Sequence, residues 1–180
     1  MTSNMSGLDE EITAVIELVE QHTIAFLNGE LRLAPTGIDR HLHHEGHVIL
    51  RSMTAIVGVG SRSGLYIAFS YDDTLIRAMT RRYTEGLSIG PEEEELYVRE
   101  SASDIVNVII GNSTAGLAGR GELVTLSPPV LMEGAKTIHG RPGTTIATLT
   151  LRFAEGALDV AFVGPRRLFD EHLNHREGIF

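Results

Sequence analysis

An acid and an amide three residues apart, Asp104 and Asn107, are the side chains of this sequence best placed to do specific chemistry. On a helix, positions three and four apart are neighbours, with Cβ atoms about 5–6 Å apart. A carboxylate there can pair with a cation of a partner and fix the register of docking. A carboxamide carries both donor and acceptor, so it can orient a water without exchanging protons. Such positioning suffices for hydrolysis of an acyl phosphate, because phosphoryl transfer relies on positioning and electrostatics. Glu100, Ser103, Gly111 and Thr114 share the stripe. Gly111 leaves room for another backbone to approach, at a cost of about 1 kcal/mol relative to alanine inside a helix. On spacing alone, a solvated polar helix face is the ordinary reading of Asp104 and Asn107. For Gly111, close helix packing is an equally good one.

These residues need a helix, and the pattern supplies one. Val98, Ala102, Ile105 and Ile109, flanked by Val106, Ile110 and Leu117, make an apolar stripe on the opposite side. The spacing predicts a helix over 91–117, with Pro91 at its first position and Gly119 and Gly121 beyond its end. Ile12, Val15, Ile16, Val19 and Phe26 predict an earlier helix over 8–28. Residues 74–85 predict a third, with Asp72 or Asp73 as cap. Strands are expected at 47–58 and 65–71 as a hairpin, at 123–126, around Leu131 and Ile138, and at 145–153 and 158–163. Glu155-Gly156 turns the last pair. Residues 31–45 read as an irregular segment. Strands in blocks joined by tight turns argue an α+β fold, long helices packed on a mixed, mostly antiparallel sheet.

The chain has 180 residues, which suits one domain over 8–164 with a charged tail at 165–180. It has no cysteine, which removes disulfides, thiolate metal sites and a cysteine nucleophile and suits a reducing, cytoplasmic compartment. A formal net charge of −9 disfavours nucleic acid and anionic membrane as partners. The first residues lack the apolar core of a signal peptide, and the longest apolar runs are too short to span a bilayer.

Other motifs carry less. His41, His43 and His47 with Glu45 could offer zinc ligands, but no HExxH spacing is present, and a solvated loop is the expected reading. Ser61 and Ser63 lie in a glycine turn without a nucleophile elbow. Gly58, Gly60 and Gly64 join two strands, leaving no helix N-terminus to hold phosphate. Asp72-Asp73 reads as a helix cap, and Arg77, Arg81 and Arg82 as a solvated face. The run of glutamates at 92–95 reads as the acidic first turn of the long helix.

The segment Glu100-Ser-Ala-Ser-Asp104-Ile-Val-Asn107-Val-Ile-Ile-Gly111-Asn112 resembles the signature helix of the CheX/CheC chemotaxis family: an acid, two variable positions, asparagine, then apolar residues and glycine. The resemblance extends to Ile56-Val57-Gly58 with Gly64, to Ser127-Pro128-Pro129-Val130, and to the closing hairpin. It implies a CheC-like fold and dephosphorylation of a phosphorylated CheY-type response regulator at its aspartyl phosphate. Asp104 takes the position of the acid that grips a regulator lysine, and Asn107 that of the amide that orients the hydrolytic water. Glu100 and Gly111 are expected to contact the partner. No cofactor or metal of its own is implied, since the magnesium belongs to the regulator. One signature, in the long helix only, resembles CheX and implies a homodimer. The family acid is normally glutamate, and Asp104 is one methylene shorter. A non-catalytic module that docks a response regulator or a flagellar-switch component is the alternative.

Overall fold

The computed structural model describes residues 6–44, 46–60, 64–118, 125–134 and 137–165. The elements are α1 (Ser6–Gly29), β1 (Gly37–His44), β2 (His47–Ile49), β3 (Met53–Val59), β4 (Leu65–Tyr71), α2 (Asp73–Tyr83), α3 (Glu94–Ala118), β5 (Val130–Glu133), β6 (Thr137–His139), β7 (Thr144–Phe153) and β8 (Gly156–Pro165). Six strands form one sheet in the order β1-β7-β8-β4-β3-β5, and β2 pairs with β6 separately. Every pairing among the described residues is antiparallel. The fold is α+β, as expected.

Alternation along the strands decides what each sheet face meets. Leu65, Ile67, Phe69 and Tyr71 of β4, with Leu158, Val160 and Phe162 of β8, point to the helices and join one core. From α3, Val98, Ala102, Ile105, Val106, Ile109 and Ile110 enter the same core, at most 4% exposed. Burial of each large aliphatic side chain contributes about 1.5–3 kcal/mol, which fixes the roll of α3 and hence which face it shows to solvent. On the other sheet face, Ala68, Ile146 and Ala161 are covered by Val48 and Ile138 of the small β2–β6 pair.

Three expectations are corrected. The segment 31–45 is not irregular throughout: 37–44 is β1, paired along its length with β7. Leu42 turns into the core, and Arg40 reaches Glu20 of α1, so tertiary pairing overrides a histidine-rich composition. The strand expected over 47–58 is two strands in different sheets, broken at Leu50–Ser52. Asp72 holds the N-cap position of α2 but makes no side-chain cap bond. Its carboxylate takes Arg51 at 2.9 Å and the N–H of Ala157 at 2.8 Å. The strand expected at 123–126 falls largely outside the described residues, though Leu126 bridges Val59. The tail from 166 lies outside them too.

Arg51 locks the strand side of the fold. It donates to Asp159 at 2.7 Å and to Asp72, and Thr150 donates to Asp159 at 2.6 Å. Asp159 is buried. Burial works against the Arg51 cation, but its bonds to Asp159 and Asp72 outweigh that and hold it more firmly protonated than usual. Asp159→Ala is expected to cost about 3 kcal/mol in urea unfolding, because removing one partner of a largely buried pair strands the other. A loss below about 0.5 kcal/mol, the scale of an ordinary surface change, would contradict this reading.

Candidate functional site

Pro91 lies at the threshold of α3, in a turn over 91–93. The Glu93 carboxylate accepts the N–H of Gly90 at 3.1 Å, the back-reaching half of a capping box. Glu94 and Glu95 fall in the first helical turn, where the macrodipole favours them. They also hold Arg77 of α2, which bonds Asp73 at 2.9 Å and Glu95 at 2.6 Å. Arg82 bonds the carbonyls of Leu31 and Arg32 and the carboxylate of Glu155. Arg77 and Arg82 are therefore ties between elements and not the free basic face expected from sequence. The start of α3 is pinned to α2, and farther along Arg99 pairs with Glu133 of β5.

On this pinned helix, Glu100, Asp104, Asn107 and Gly111 are all exposed on the face opposite the buried stripe. Among the described residues, none forms an ion pair with Glu100 or Asp104, and none hydrogen-bonds the Asn107 side chain. The acid and the amide are thus free to engage an outside group. Ser103 and Thr114 are half-buried at the edges, with the Thr114 hydroxyl bonded back to Ile110.

Beside Asn107 runs a groove of about 340 Å³ between α3 and the edge of the sheet. Asn107, Ile110 and Gly111 form one wall, and Val57, Leu126, Ser127 and Pro128 the other. Ser127 holds that wall in place: its hydroxyl accepts the Gly58 N–H at 2.9 Å, and its own N–H donates to the Gly58 carbonyl at 3.0 Å. The groove was not legible from sequence, because its walls come from segments roughly 50 and 20 residues from the signature.

Gly111 is not explained by close packing. A Cβ built there meets no atom within 4 Å. The glycine therefore weakens its own helix without any internal steric need. Gly111→Ala is expected to raise stability by roughly 0.5–1 kcal/mol while weakening any docking that uses the bare backbone. Thermal melting and partner binding on the same variant check it. Unchanged binding would leave Gly111 without a role in docking.

Tyr83 closes α2, and the sequence did not single it out. Its ring lies 6.3 Å from that of Phe26. Partial burial raises its phenol above the ordinary range, and the Asp104 carboxylate raises it further.

No histidine cluster forms among the described residues. His41 lies in β1, and His47 faces His139 across β2–β6 at 5.8 Å between ring centroids. No group of three or more histidine, aspartate or glutamate side chains placed to hold a metal occurs among the described residues, and Glu45 lies outside them. Ser61 and Ser63 lie outside them as well. No helix among the described residues is long and apolar enough to cross a membrane.

No protein-family model and no curated protein sequence matches the chain. Solved structures do match. A CheC-like superfamily protein from Shewanella sp. PV-4 is 15% identical with a TM-score of 0.68, over 83% of this chain and 96% of that one. CheX in the CheX–CheY–BeF3–Mg2+ complex from Borrelia burgdorferi is 16% identical with a TM-score of 0.60, over 84% and 97%. FliY from Thermotoga maritima is 11% identical with a TM-score of 0.53, over 92% and 95%. The chain therefore has the CheX/CheC-like fold.

Proposed function

We propose, from the CheX/CheC-like fold and the exposed Asp104–Asn107 pair, that this protein dephosphorylates a phosphorylated CheY-type response regulator. The observation that carries the reading is the pair itself. An acid and an amide stand unpartnered and adjacent on a rigid, pinned helix, beside a groove that would admit a neighbouring chain. The similar CheX structure from Borrelia burgdorferi is a complex with CheY, beryllofluoride and magnesium.

In this reading Asp104 pairs with a regulator lysine and sets the register. Asn107 then places a water in line with the acyl phosphate. The water oxygen bonds to phosphorus, the bond to the regulator's aspartyl oxygen breaks, and carboxylate and inorganic phosphate leave. Magnesium is held by the regulator, so this chain needs no metal or cofactor of its own. Glu100 and Gly111 flank the contact, Glu100 one turn before Asp104 and Gly111 one turn after Asn107. The protein acts in the cytoplasm as a homodimer. Tyr66 and Val130, 54% and 62% exposed on the sheet face away from the helices, are apolar surface that a second copy would cover.

The test is binding of a CheY-type regulator with and without beryllofluoride and magnesium. Tighter binding of the activated form supports the reading, and equal or absent binding of both opposes it. One observation favours a second reading, a docking module without hydrolysis: the acid is aspartate where the family normally has glutamate. FliY from Thermotoga maritima has a similar fold.

A further inference from the structure

His47 and His139 are brought together only by the fold, and they stand directly opposite each other in the β2–β6 ladder. The Gly140 N–H donates to the Gly46 carbonyl at 2.9 Å. That makes 46–140 a hydrogen-bonded pair and 47–139 the non-hydrogen-bonded pair beside it, the arrangement in which opposite side chains come closest. Val48 and Ile138, next to them on each strand, turn inward onto Ala68, Ile146 and Ala161. Both histidines therefore project outward, and both are exposed. Their rings lie 5.8 Å apart between centroids and 35° from parallel. Neither ring makes a hydrogen bond or ion pair with another described residue.

Imidazole suits zinc, nickel and copper, whereas magnesium prefers oxygen ligands. A ring nitrogen binds zinc at about 2.0–2.1 Å, so two imidazoles on one tetrahedral ion have ring centres about 5 Å apart. The observed separation is a small rotation of the two side chains from that value. The paired backbones already hold the two residues opposite each other, so binding need order little more than the rings. The strands themselves have something to gain. β2 and β6 are three residues each and pair only with each other. An isolated two-stranded ribbon is marginally stable in water. A metal joining its strands would hold this cover on the sheet.

We propose that His47 and His139 form a two-histidine site for a divalent transition metal, with water completing the coordination, and that the bound ion clips β2 to β6. The site lies over the sheet face away from the helices, so it is separate from Asp104 and Asn107 and takes no part in dephosphorylation. It stands independently of the phosphatase reading.

The experiment titrates the untagged full chain with zinc chloride, nickel chloride and magnesium chloride by calorimetry, and follows amide exchange in β2 and β6. Zinc and nickel are expected to bind saturably and magnesium not at all. Zinc is expected to slow exchange in the β2–β6 ladder. His47→Gln and His139→Gln are each expected to weaken zinc at least tenfold, since losing even an outer-shell partner of a metal site costs about 10–100-fold. Both positions are exposed, so the variants are expected to fold as the unaltered protein does. Zinc binding that survives both substitutions belongs to another of the eight histidines and overturns the proposal. So does an absence of saturable binding, or an equal response to magnesium. Binding at the pair without slower exchange overturns the clip.

Discussion

Asn107→Ala is expected to lower the rate of regulator dephosphorylation by roughly a hundredfold to a thousandfold, the scale of losing one well-placed catalytic hydrogen-bonding group. The fold should not register the change. The Asn107 side chain is exposed and hydrogen-bonds no described residue, so the variant's melting temperature is expected to stay within a degree or so of the unaltered protein's, as for an ordinary surface substitution. Regulator binding should also persist, because Asp104, Glu100 and the groove remain. The signature of this variant is thus lost turnover with kept affinity. Loss of binding in parallel with turnover would instead make Asn107 a docking residue. Asn107→Asp is a useful companion. It keeps the size but places a negative charge facing the phosphoryl group, and it is expected to be no better than alanine.

Asp104→Glu is expected to have the second largest effect, in the opposite direction. The added methylene extends the carboxylate by over 1 Å, and misplacement of about 1 Å in a docked complex can cost a hundredfold in rate. Restoring the family's usual reach should raise turnover by up to about that factor if the register is currently short. Asp104→Ala should weaken association most at low salt and flatten its salt dependence, because the pair it forms with a regulator lysine is electrostatic and screened by salt. If Asp104→Glu leaves turnover unchanged, aspartate already reaches its partner. If it creates turnover where the unaltered protein shows none, the docking-module reading holds for the natural sequence.

The helix that carries the site was legible because its apolar stripe is continuous. Val98, Ala102, Ile105 and Ile109 recur at helical spacing, and burial of that stripe leaves Asp104 and Asn107 no other side to occupy. The hairpin of β7 and β8 was equally clear, since Gly156 adopts φ 138° and a Cβ there would meet Asp72 at 3.0 Å. What sequence did not show depends on contacts distant along the chain. β1 reads as a polar loop until β7 supplies its ladder. Arg51, Asp72 and Asp159 look like separate surface charges until the fold brings three segments together. Asp72 resembled a helix cap for the same reason, because a capping aspartate and a salt-bridged one are alike in local sequence. The groove beside Asn107 arises where α3 meets other elements, and no pattern within α3 encodes it. Gly111 shows the reverse case. Sequence left close packing and partner approach equally open, and the empty space around its Cβ position removes the first.

The most direct test of the central claim is the decay of a phosphorylated CheY-type regulator, with magnesium present, followed with and without catalytic amounts of this protein. Decay is expected to accelerate with added protein, with several regulator molecules turned over by each copy, and the acceleration is expected to vanish with Asn107→Ala. Decay that is unchanged by the unaltered protein, while binding of the activated regulator is still detected, would contradict the phosphatase reading and leave a docking module in its place.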